Sequence, residues 1–267
     1  MDRLADDVRS LYGNLIDHYR FHAQLAGSEF HREDDVVWYL SGRPVNFLNA
    51  VVSATFGPGD AARRVDEVLA PFRARAAPMR WWTDERGEPA GLNRHLERQG
   101  LQLAWDVPAM TVSLADGLLE PQAPRGIEVR RVRTPADLRT WFDAFAAGFG
   151  FDRDAARPWL DAFRELGTEE RSPMRHHMAF LDGEPVASAT VFLASGAAGI
   201  YHVGTRPDVR GRGVGSAVTL APLLEARDAG LRWGVLKASH LGRGVYERLG
   251  FTERARMRQY RWTPVSG

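Results

Sequence analysis

Apolar residues along this chain recur alternately at helical and at strand spacing, and the order of the two predicts an α/β protein with a mixed sheet. Leu4, Val8, Leu11, Leu15, Tyr19 and His22 share one helical face, so the chain opens on an amphipathic helix. Residues 35–40 and 44–52 read as strands about a Ser-Gly turn, and Gly57-Pro58-Gly59-Asp60 as a turn ending in an N-cap. Val65, Val68, Leu69 and Phe72 mark a helix that stops before Pro78, and an aromatic strand follows over 79–83. Residues 91–101 form a second helical stretch, and 108–114 a strand.

From Ile127 the pattern is cleaner. Ile127, Val129 and Val132 outline a strand, and Thr134-Pro135 supplies an N-cap with proline at the first helical position. Residues 145–151 read as a loop rich in glycine and phenylalanine, and 158–166 as another helix. Asp182-Gly183 is a tight-turn pair between strands at 177–181 and 185–193. The nineteen uncharged residues from Val186 to Gly204 have the length of a membrane span, but Ser195-Gly196 divides them into two buried strands. The predicted order from Ile127 to Arg261 is β-α-α-β-β-β-α-β-α-β.

One stretch carries chemistry. Residues 200–205 are a strand that Pro207 ends; Arg210-Gly211-Arg212-Gly213-Val214-Gly215 follows, and apolar positions 214, 217, 218, 221 and 224 continue it as a helix capped by Gly230. A glycine turn that opens on a helix N-terminus presents unpaired amides and a positive dipole end, a setting for phosphate. It is not a Walker A loop, because the only lysine is Lys237, and Ser216 stands where a dinucleotide fingerprint needs glycine.

The arrangement Arg-x-x-Gly-x-Gly, as Arg210, Gly213 and Gly215, resembles the acyl-coenzyme A pyrophosphate loop of the GCN5-related N-acetyltransferase (GNAT) family. Ala238-Ser239, Gly242 and Val245-Tyr246-Glu247-Arg248-Leu249-Gly250-Phe251 resemble that family's second signature. The resemblance implies the GNAT fold, acetyl-CoA as co-substrate and no metal. It implies that Arg210, Gly211, Arg212, Gly213, Val214, Gly215 and Ser216 hold the pyrophosphate, with Ser239 also in the donor site. The edge of Val203-Gly204-Thr205 pairs with the pantetheine arm, and Tyr246 is the general acid. Where the family often has a carboxylate base, this strand has His202, a group that titrates near neutrality and is the candidate base, a pocket wall or a core hydrogen bonder.

The first half repeats part of this pattern. With Gly100 set on Gly250, Leu96-Glu97-Arg98-Gln99-Gly100-Leu101 lies on Tyr246 to Phe251, and Arg80-Trp81 lies near Arg232-Trp233. The expected organisation is a diverged GNAT-like domain over 1–115, a linker over 116–126 and an N-acetyltransferase domain over 127–267. The copy has Leu96 in place of tyrosine and no Arg-x-x-Gly-x-Gly, which predicts an inactive half.

Composition narrows the reading further. Lys plus Arg is 35 against 34 acidic residues, which argues against a nucleic-acid partner. The absence of cysteine excludes disulfides and a thiol nucleophile, and with acidic Asp2, Asp6 and Asp7 at the start no secretory signal is expected, so the expected setting is cytoplasmic. His18 and His22, four apart on a helix, lack a third ligand and read as structural. The expected function is acetyl transfer to a small-molecule or peptide amine by a monomer or homodimer, with no membrane partner. The alternative is a non-catalytic acyl-CoA sensor. Trp81, Trp82, Phe145, Phe149, Phe151 and Trp159 are candidates for an apolar acceptor pocket.

Overall fold

The computed structural model describes residues 5–57, 59–85, 91–122 and 124–264, so Asp2, Leu4, Pro58 and residue 123 of the expected linker lie outside the described residues. In chain order the elements are α1 (Asp6–His22), β1 (Glu29–Arg32), β2 (Val36–Leu40), β3 (Asn49–Ala54), α2 (Ala61–Ala74), β4 (Met79–Asp84), α3 (Leu92–Arg98) and β5 (Gln102–Ser113). They continue with β6 (Ile127–Arg131), α4 (Pro135–Phe149), α5 (Arg157–Leu166), β7 (Met174–Leu181), β8 (Glu184–Ala194), β9 (Ala197–Thr205), α6 (Val214–Asp228), β10 (Trp233–Lys237), α7 (Arg243–Glu247) and β11 (Thr252–Trp262).

From β6 onward this is the predicted order. Thr134 caps α4 by accepting from the Asp137 amide while Asp137 accepts from the Thr134 amide, and proline follows at the first turn. Asp182 and Gly183, and likewise Ser195 and Gly196, have positive φ and close the hairpins as expected. One expectation fails: residues 145–149 are not loop but the last turn of α4, which ends only where Gly150 takes φ +68°. In the first half, β1 was not anticipated, residues 46–48 form a 3-10 turn before β3, and Asp60 makes no side-chain cap on α2.

Contacts divide the chain into two compact units, residues 1–14 with 109–254 and residues 15–108 with 255–267. This is not the division expected at 116–126, and the reason is strand pairing. The end of β5 pairs antiparallel with β10, from Trp233↔Ser113 to Lys237↔Ala109, although it precedes the second half in sequence. The end of β11 pairs antiparallel with β4, from Met257↔Asp84 to Trp262↔Met79, although it closes the second half. The expected linker is also packed: Leu119 donates its amide to the Leu249 carbonyl, and Glu120 pairs with Arg227.

In the first unit the strand order is β5-β10-β9-β8-β7-β6, with β9 and β10 parallel and the other pairs antiparallel. Ile200 and Leu236 pack with Leu223 and Ala226 of α6 and with Tyr246 and Leu249. On the other face Trp141 of α4 donates its indole N–H to the Ala189 carbonyl at 3.1 Å. Asn14 of α1 is fully buried there; its amide nitrogen donates to the carbonyls of Phe192, Ala194 and Ala197, and its oxygen accepts from the Tyr201 hydroxyl at 2.9 Å.

The second unit has the order β1-β2-β3-β4-β11, with β3 and β4 parallel across α2. Its core gathers Val51, Phe56, Val65, Phe72, Trp81, Leu96 and Tyr260. Trp81 is 0% and Trp82 3% exposed, so neither lines a pocket, contrary to the expectation. Large flat side chains on a strand facing a helix lose water most fully at the centre of the layer.

Candidate active site

The site is built in the first unit where β9 leaves β10. Their ladder ends at Ile200↔Leu236, while Tyr201, Gly204 and Thr205 go on pairing with Thr190, Ser188 and Ala187 of β8. One edge of residues 202–205 therefore lies open. The register of β8 on β9 shifts by one residue there, and His202 takes φ +51°. A positive φ costs a non-glycine residue roughly 1–3 kcal/mol and re-aims its side chain. The imidazole consequently faces the rings of Phe163 (5.3 Å between centroids), Phe145 (5.6 Å), Trp159 (6.2 Å) and Trp141 (6.3 Å).

Val203 packs instead against the cluster that contains Tyr246. Gly204 permits a close approach of helix to strand: a Cβ on Gly148 of α4 would lie 2.7 Å from the Gly204 backbone, and one on Gly204 would lie 3.0 Å from Phe149. Sequence reasoning missed Gly148, because a glycine inside a helix carries no local reason for being there.

After Thr205 the chain turns through a 3-10 helix at Pro207–Val209 into the glycine stretch. Gly211 and Gly213 both take φ +78°, and α6 starts at Val214. The Ala217 amide donates back to the Gly213 carbonyl, so the amides of Val214, Gly215 and Ser216 precede the helical ladder and point out of its end. Space beyond Gly211 is open, and nothing lies within 4 Å of a Cβ placed there. An anionic diphosphate fits this turn.

Arg210 does not face that space. Its guanidinium donates to the carbonyls of Thr205 (3.0 Å) and Gly148 (2.9 Å), bracing the end of α4 on the end of β9. Arg212 is exposed beside the turn. Ser239 is occupied as well: its hydroxyl and carbonyl both accept from the Gly242 amide, which starts α7.

Tyr246 is 7% exposed, and its ring lies against Gly242, where a Cβ would come within 2.9 Å. Burial pushes its hydroxyl well above the ordinary tyrosine value, so the phenol holds its proton. Gly250 at φ +90° ends this turn, with Phe251 donating to the Tyr246 carbonyl. The site therefore places His202 against α4 and α5, and Tyr246 with Val203 on the α6 and α7 side of β9.

Other candidates resolve into structure. The rings of His18 and His22 meet edge-on at 4.5 Å in the second unit, and burial lowers His22 to about 4 while its Nδ1–H donates to the His18 carbonyl. Among the described residues no group of three His, Cys, Asp or Glu is arranged to hold a metal, and no helix is long and apolar enough to cross a membrane. The alternating arginines of β11 are paired, Arg254 with Asp7, and Arg256 and Arg258 with Asp106.

The glycine turn, the open strand edge and the buried tyrosine all belong to the first unit. Residues 120–247, a little under half of the chain, match the family model described as an acetyltransferase (GNAT) domain. Among its relatives is a mycothiol acetyltransferase of Thermobifida fusca, 27% identical over 211 residues, covering 68% of this chain and 58% of the relative. Another, from Streptomyces avermitilis, is 30% identical over 177 residues, covering 59% and 54%. The chain thus spans little more than half the length of these curated relatives.

Among solved structures, a GCN5-related N-acetyltransferase from Kribbella flavida has a TM-score of 0.70 at 21% identity, covering 95% of this chain and 96% of its own. A tandem GNAT protein from the clavulanic acid biosynthesis pathway has a TM-score of 0.56 at 15% identity, covering 99% and 98%. At such identities these two bear on the fold alone.

Proposed function

We propose that this protein transfers the acetyl group of acetyl-CoA to an amine by direct attack, using the first unit, and that the half holding Leu96 is a diverged, inactive copy. The main-chain amides of residues 211–216 receive the pyrophosphate at the end of α6, and the open edge of Val203, Gly204 and Thr205 pairs with the pantetheine arm as an added strand. An amide of the same edge polarises the thioester carbonyl. His202 takes the proton of the attacking amine, the C–N bond forms as the C–S bond breaks, and Tyr246 protonates the departing thiolate. Burial keeps the phenol in its protonated form, the form that can donate, although it also makes the phenol a weaker acid than an exposed tyrosine.

The observation that carries this reading is the edge of β9 left open beyond Ile200, where its ladder with β10 ends, immediately before the glycine turn. The relatives named mycothiol acetyltransferase support the reaction type. The test measures acetyl-CoA binding by calorimetry and thiol release with a panel of amines, for the parent and Tyr246→Phe. The parent binds and turns over; the variant keeps its affinity while kcat falls about a hundredfold. No binding overturns the assignment, and binding without turnover on any amine supports the sensor instead.

A further inference from the structure

Resting on that reading, we propose that the acceptor is a primary amine carried on an aromatic body, and that Phe149, Phe151 and Trp159 form its seat, backed by the buried Phe145. Phe149 and Phe151 are 40% and 41% exposed. They are held out by geometry: Gly150 at φ +68° reverses the chain between them, and the Phe151 amide donates to the Ala146 carbonyl at 2.9 Å. Their rings stack on each other at 5.5 Å and 12°.

The pair is the outer end of a continuous wall. Phe149 meets Phe145 at 4.9 Å, Phe151 meets Trp159 at 5.3 Å, Phe145 and Trp159 meet at 4.9 Å, and both reach the His202 ring. An apolar surface of this kind, continuous from solvent to the candidate base, orients a ligand by ring contact. A ring stacked there leaves a short alkyl arm to carry the nitrogen to His202.

Polarity points the same way. An amino sugar would need polar groups that these aromatic faces do not supply. Three of the nearby carboxylates are engaged, Asp143 with Arg153, Asp161 with Arg164, and Asp152 with the Ala155 amide, which leaves exposed Asp154 for the second cationic centre of a polyamine and makes spermidine the competing acceptor to test.

The experiment compares phenethylamine, glucosamine and spermidine as acceptors of the full chain, with acetyl-CoA binding measured separately by calorimetry. The expected result is a kcat/KM for phenethylamine at least tenfold above the other two. Phe151→Ala is expected to raise KM for phenethylamine about tenfold, with kcat and the KM for acetyl-CoA moved less than twofold and Phe151→Leu in between. If acetyl-CoA binds and glucosamine or spermidine is the better acceptor, the acetyltransferase reading stands and the aromatic acceptor is overturned. A rise in the KM for acetyl-CoA alone on Phe151→Ala also overturns it, since the rings would then wall the donor arm. Absence of acetyl-CoA binding, or binding without turnover on any of the amines, ends both readings.

Discussion

The junction of β9 with α6 and the junction of β3 with α2 start from one layout: a strand whose register on its neighbour shifts by a residue, a parallel ladder that stops early, and a turn into a helix. At the first, His202 goes to positive φ and the turn to α6 holds two glycines at φ +78°. At the second, among the described residues, no member of β3 has positive φ, and Phe56, Trp81 and Leu96 fill the layer. The helix ends differ as well. Neither helix has a side-chain cap, but Asp60 stands before α2 with its carboxylate on Arg63, and Arg64 is claimed by Asp35 and Glu33, whereas α6 is preceded by glycine. A shared fold does not make a site; unpaired donors and open space do.

The sharpest way to break this comparison is to put the same side chain into both turns. Gly213→Val needs a Cβ 2.6 Å from Pro124 at φ +78°, whereas a Cβ on Gly59 meets nothing within 4 Å. Gly213→Val is expected to weaken acetyl-CoA binding by about a hundredfold, about 2.7 kcal/mol, and Gly59→Val to leave it unchanged, both read by calorimetry. Equal losses would mean that the α2 turn also takes part.

Helix α1 offers the next contrast, because residues up to Asn14 belong to the first unit and the rest to the second. Asn14→Ala strips partners from three buried carbonyls and the Tyr201 hydroxyl, and should lower the melting temperature by roughly 10 °C in scanning calorimetry. A shift under about 2 °C would remove Asn14 as the support of β9.

At the other end of α1, His22 is neutral in the fold down to about pH 4, whereas the unfolded chain takes up its proton near pH 6.5. Protonation therefore favours unfolding in that window. Stability present above pH 6.5 is lost as the pH falls, by about 3 kcal/mol at pH 4. Hydrogen exchange in α1 and β2 should show this loss for the parent and lose that slope in His22→Leu.

Much of the second half could be read in the residues, because its signals are local. The Thr134 cap, the Asp182-Gly183 and Ser195-Gly196 turns, and the glycines at 230 and 250 each act within a few residues of themselves. The glycine turn of the candidate site was found for the same reason. Asn14 escaped notice although it sits three residues after Leu11 and one before Leu15, a polar group on an apolar stripe. Arg210 was expected near the ligand and instead braces Gly148, because an extended guanidinium takes the nearest buried carbonyls.

By itself the sequence determined the order of helices and strands from Ile127 on, though not the last turn of α4, and where the glycine turn before α6 lies, since side-chain periodicity, caps and glycine φ are properties of short stretches. Only the tertiary structure decided that β5 closes on β10 and β11 on β4, that His202 turns toward an aromatic wall, and that Trp81 is core. A strand's pattern says which face is buried but leaves open whose backbone supplies its hydrogen bonds, and that choice is made by contacts more than a hundred residues apart.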